Sequence, residues 1–129
     1  MESLGIRRDL EIPFSEALDR VPDALKEEGF GVLTEVDVKE TLKKKLDVDF
    51  RSYRILGACN PKLAHRALGA ELDAGVMMPC NVVVYERDDG NATVVAVDPM
   101  QTMAQEAGGA LAEVAREVRQ GLERVVARL

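Results

Sequence analysis

The chain has no tryptophan, two tyrosines and three phenylalanines, so aromatics make up only 4% of its 129 residues. Aliphatic side chains must therefore fill the core. Only one histidine and two cysteines are present. The Cys59-to-Cys80 spacing matches no CxxC motif, which points away from a metal cage. Positive charge is scarce: 17 Lys and Arg stand against 23 Asp and Glu, a formal net charge of −6. Proteins that grip phosphate backbones carry a basic field, so no nucleic-acid partner is expected. The one basic run, Lys43-Lys44-Lys45, reads as a solvated helix face. No apolar run approaches the ~20 residues needed to span a bilayer, so no membrane partner is expected. Met1-Glu2-Ser3-Leu4-Gly5 lacks the basic start and apolar stretch of a secretory leader. A cytoplasmic protein with reduced thiols is the expectation. Nucleotide-binding glycine loops, zinc-protease helices and nucleophile elbows are all missing. The cofactor stays unknown, and the question of enzymatic activity stays open.

What is there is a regular alternation of elements. Leu4, Ile6 and Leu10 alternate with polar residues as in a half-buried strand. Phe14, Leu18, Val21 and Leu25 then recur at helical spacing, with Pro13 at the start and Gly29 at the stop. Pro22 predicts a kink or a split in that helix near Leu18. Gly31 to Val36 reads as a second strand, with Val32, Thr34 and Val36 on one face. Asp37 and Glu40 open a second helix whose buried positions would be Val38, Leu42 and Leu46; short and very charged, it should lie on the surface. A third strand runs from Tyr53 to Ala58, and Gly57 within it marks a bulge or a close backbone approach. Asn60 and Pro61 start a third helix. Val82–Tyr85 and Thr93–Val97 are strands joined by the hairpin turn Asp88-Asp89-Gly90-Asn91. Met100 to Ala107 suits one or two helical turns. Leu111, Val114, Val118, Leu122, Val125 and Leu129 define a long last helix. The order predicts a single α+β domain over residues 1–129. It would be a two-layer sandwich of one mixed five-stranded sheet and about four helices, with α/β as the fallback.

Three stretches carry a family likeness: Glu28 to Val38; Ile55-Leu56-Gly57-Ala58-Cys59-Asn60-Pro61 and on to Ala64; and Met78-Pro79-Cys80-Asn81 and on to Glu86. Together they resemble domain-of-unknown-function family 302, from Gly5 to about Val125. The resemblance implies a small mixed α/β domain, often standing alone in bacteria and archaea. It implies no activity, substrate or catalytic residue.

The candidate site is Cys59, Asn60, Pro61, Pro79, Cys80 and Asn81. Each cysteine lies at a strand end, is followed by asparagine and has a proline nearby that fixes the backbone. Cys59 also precedes a helix N-terminus, where free N–H groups favour an anion, so it is the expected reactive thiol. The opposing reading makes both cysteines small packing residues. If the strands beside them run antiparallel, the two cysteines meet; if parallel, they lie at opposite ends. His65 falls well off the apolar stripe of its helix and should face away from the core. Met77 and Met78 add soft sulfur near Cys80. Three functions fit. The first is a binding or structural module that self-associates as a homodimer. The others are a thiol-redox or soft-metal protein using Cys59 and Cys80, and an enzyme or binder of a small anionic ligand at Asn60-Pro61. The long amphipathic last helix and the lack of a ligand motif motivate the homodimer.

Overall fold

A computed structural model of the protein describes residues 4–102 and 109–129. Five strands alternate with helices: β1 (Gly5–Pro13), α1 (Phe14–Glu27), β2 (Gly31–Asp37), α2 (Val38–Leu46), β3 (Tyr53–Cys59), α3 (Pro61–Ala70), a 3-10 segment (Leu72–Met77), β4 (Cys80–Glu86), β5 (Asn91–Val97), the short α4 (Pro99–Thr102) and α5 (Ala110–Ala127). The strands form one sheet in the order β1-β5-β4-β3-β2. Beyond α4, the region read as helical turns up to Ala107 falls outside the described residues.

The α+β sandwich is as expected, but the sheet is not mixed: every neighbouring pair is antiparallel. A helix between two strands permits a parallel pair without requiring one. Here α2 and α3 each leave and return at the same end of the sheet, so they act as long hairpin connections. The helix α1 instead carries the chain across the whole sheet, because β1 and β2 lie at opposite edges.

One face of the sheet carries Leu56, Ala58, Val82, Val84, Val94 and Ala96, all fully buried. Helices α1 and α5 cover it and also pack on each other. From α5 come Leu111, Val114, Val118, Leu122 and Val125, all in the stripe read from the spacing of three and four, together with Ala115 and Val126; Leu129, the last of that stripe, lies past the helix end and is half-buried. From α1 come Ala17, Val21, Ala24 and Leu25. Pro22 does not split α1, which is one helix from Phe14 to Glu27. The missing backbone bond costs about 3 kcal/mol, and burial of those four side chains around Pro22 offsets it.

Two other expectations fail at the β2 edge. The alternation of β2 breaks at a bulge between Val32 and Thr34, so Val32 pairs with Ala58 while Thr34 pairs with Gly57. Those two side chains therefore lie on opposite faces. The helix α2 lies on the surface as expected, but it does not bury its three apolar residues: Val38 and Leu42 are half-buried and Leu46 is 66% exposed. Its nine residues lie at the β2–β3 corner, beyond the reach of α1 and α5. Gly57 is a close approach, as its position in a strand suggested. A Cβ there would run into Thr34 Oγ1 and come within 2.7 Å of Pro79 Cγ. Gly57→Ala is expected to destabilise the protein by about 1–3 kcal/mol through overpacking. A melting curve checks this; an unchanged midpoint would mean that Thr34 and Pro79 move aside freely.

Candidate functional site

The β3–β4 pairing decides whether the two thiols meet. Ala58 lies opposite Cys80 in an antiparallel ladder, and Cys59 is the next residue along. Both cysteines thus come to the same end of neighbouring strands, and both are free thiols. Asn60 then caps α3, its side-chain Oδ1 accepting the Leu63 N–H at 3.2 Å. Pro61 occupies the first turn.

A cleft opens where these strand ends meet α3 and α5. Cys59, Asn60, Pro79 and Cys80 line it, together with Phe30, Ala58, Leu63, Ala64, Met78, Val114 and Val118. Four of the six candidate residues are therefore brought together. Pro61 is exposed and Asn81, paired with Gly57, is exposed in the sheet; neither lines the cleft. Asn81 alternates to the opposite face from Cys80. His65 is exposed, as the helix geometry predicted.

Sequence reasoning missed Phe30, Val114 and Val118 as walls of this site. The signal available was Gly121, one turn beyond the last of these. A Cβ at Gly121 would lie 2.9 Å from Phe30 Cε2, so the missing side chain makes room for the Phe30 ring against α5. Such a contact joins residues far apart in the chain and is invisible to local periodicity.

The cleft is narrow and apolar, with a volume of about 30 Å³. Along Phe30, Asn60 and Leu63 it adjoins a wider polar groove of about 410 Å³, lined also by Glu28, Lys62, Arg66, Glu117, Gln120 and Arg124. Most charges of the groove are already paired. Arg66 meets Glu117 at 2.6 Å, and Arg124 meets Glu28 at 2.6 Å. Arg128 holds the other oxygen of Glu28, also at 2.6 Å. Hydrogen bonds from Arg124 and then Arg128 keep the Glu28 carboxyl below its ordinary range. Among the described residues, Lys62 is the groove cation without an ion pair.

Burial, followed by the nearby Cys59, pushes the Cys80 thiol up to about 11. Near pH 8 a thiol with that value is ionised in about one molecule in a thousand. Cys59 is therefore expected to alkylate faster than Cys80 in the folded protein. Iodoacetamide labelling read by mass spectrometry at each cysteine checks the order. Faster labelling of Cys80 would show that its surroundings are wetter than the cleft geometry implies. Among the described residues, no group of three His, Cys, Asp or Glu side chains is placed to hold a metal ion. Within the same residues, no helix is long and apolar enough to cross a membrane.

A family model described as "Domain of unknown function DUF302" matches residues 6–129. A solved structure, the crystal structure of an uncharacterized conserved DUF302 protein from Bacillus stearothermophilus, is similar over the whole chain. It is 31% identical, the alignment covers 98% of both chains, and the TM-score is 0.89. No curated protein matches the chain.

Proposed function

From a chain that belongs to the DUF302 family, whose name assigns no activity, we propose a one-domain binding module that works as a homodimer, paired through the outer face of its sheet. The observation that carries this reading is the row Val36, Ile55, Val83 and Val95, which runs from β2 across β3 and β4 to β5. These side chains alternate away from the buried ones, on the face that α1 and α5 leave open. The next row adds Tyr53 and Tyr85, whose rings stack 5.4 Å apart, with Phe50 tilted against Tyr53 at 6.1 Å. A sheet with one solvated face normally carries polar side chains there, whereas apolar residues on both faces mark a sheet covered twice.

A second copy is the partner that suits this face. Its charges sit on β1 and in the β4–β5 turn and satisfy one another: Arg7 meets Asp9 at 3.0 Å, and Arg87 meets Asp89 at 3.3 Å. Two such faces can meet without burying an unpaired charge, although each chain carries −6 overall. Five strands with three outward positions each make a face of about 500 Å² in plan. With side-chain relief and Phe50 at its border, that approaches the ~800 Å² per partner of a stable interface. Edge pairing through β2 is the less favourable arrangement, because its bulge and the Glu35 and Asp37 side chains, both bonded to Arg54, blunt that edge. The last helix does not supply the interface, since its apolar stripe is spent inside the molecule.

Sedimentation equilibrium tests the reading. The expected result is a species of twice the 14.1 kDa chain mass at micromolar concentration. A chain that stays at 14.1 kDa at high concentration overturns it.

A further inference from the structure

The adjoining cleft and groove have opposite chemistry. The cleft end is apolar and disfavours charge, since burial there already holds the Cys80 thiol in its neutral form. The groove end holds three cations, but Arg66 is paired with Glu117, and Arg124 is held by Glu28, which it shares with Arg128. Lys62 is left over, one residue past the Pro61 start of α3. Asn60 stands on the wall the two halves share. Its Oδ1 is committed to the Leu63 N–H, which leaves the Nδ2 group as a donor.

We propose that this surface binds a short-chain carboxylate, with the tail among Cys59, Cys80, Met78 and Val118 and the carboxylate at Lys62 and Asn60 Nδ2. A single free cation matches a monoanion. A phosphate dianion would call for a second free cation, whereas Arg66 is held by Glu117 and both Arg124 and Arg128 are held by Glu28. The cleft volume of about 30 Å³ exceeds the ~10–15 Å³ that a single water needs, so it admits a small aliphatic group and not a long acyl chain. Both thiols then serve as wall, and a bound tail covers them. The inference deepens the binding-module reading but does not depend on pairing, because the cleft lies on the helical side of the sheet, away from the outer face.

Calorimetric titration of the full chain with pentanoate and with pentanamide, its neutral isostere, is the test. Pentanoate is expected to saturate one site per chain and to bind more tightly than pentanamide. Lys62→Gln is expected to weaken pentanoate about tenfold, the loss of one charge-assisted hydrogen bond, and to leave pentanamide unchanged. Ala64→Leu, which fills the cleft, is expected to abolish both. Should that variant fold poorly, Lys62→Gln still decides the matter, since Lys62 is exposed. A second readout is slower alkylation of Cys59 in the presence of pentanoate. No saturable binding, equal binding of acid and amide, or an unaltered Lys62→Gln affinity would each overturn the proposal. Sedimentation of the same samples reads pairing separately, so failure of the dimer and failure of the site are distinguishable.

Discussion

Leu122→Asp is expected to lower the unfolding free energy by about 3–5 kcal/mol, the cost of an unpaired charge in an apolar interior. Small domains have only about 5–15 kcal/mol of stability in all, so most of the population would be close to unfolding. Leu122 is fully buried and is among the largest of the completely enclosed side chains. Val118, one turn earlier, lines the cleft and keeps 6% of its surface exposed. An aspartate at Val118 can turn its carboxylate toward the cleft mouth and should cost less. Helical spacing alone gives the two positions equal depth; the cleft separates them. Urea unfolding of both variants measures the difference. If Val118→Asp is the more damaging, the cleft is closed in solution and α5 sits lower on the sheet than described.

In the proposed homodimer, Val83→Glu is expected to favour the monomer, raising the dissociation constant by more than about a hundredfold. Val83 lies between Ile55 and Val95 in the middle of the outer row. In a two-fold interface the new charge would be buried close to its own copy, and like charges brought together cost several kcal/mol. The fold should survive, because Val83 is only half-buried and its carboxylate remains in water in the monomer. Leu33→Glu is the control: Leu33 is 69% exposed on the β2 edge, and pairing through the sheet face does not use it. Sedimentation of both variants, with melting curves alongside, tells the two arrangements apart. Monomeric Leu33→Glu together with dimeric Val83→Glu would move the interface to the edge.

Much of the fold was legible because its signals are local. The caps at Asp37 and Asn60, the Asp88-to-Asn91 turn and the stripe on α5 each act over a few residues, and each lies where the pattern placed it. Strand direction was not legible, because the segments carrying α2 and α3 are long enough to serve either kind of crossover. The β2 bulge was hidden for a related reason: Val32, Thr34 and Val36 have the period of a regular strand, and only the pairing with Ala58 and Gly57 shows the extra residue. At the site, the two thiols, Asn60 and Pro79 stood out by residue type and by their place at strand ends. The far walls did not, since Phe30 and Val118 look like any core residues until α5 is laid over the sheet. The apolar outer row was visible in Val82-Val83-Val84 but was read as strand propensity. Only the arrangement of helices shows that Val83, the middle one of the three, remains uncovered while Val82 and Val84 are buried.

The course of α1 across the sheet bears on how the chain assembles. The hairpin of β4 and β5 closes over a few residues, with Glu86 paired to Ala92, and β2 finds β3 within one helix, with Asp37 paired to Arg54. The first strand must wait, because its partner is the last one: Gly5 pairs with Val97. Closing so long a loop before any reward is the slow kind of step in folding. The native ladder of β1 cannot form until its partner β5 has been synthesised. The β1 run of charged side chains, Arg7, Arg8, Asp9 and Glu11, suits such a strand, because charge on an exposed strand disfavours pairing with the wrong partner.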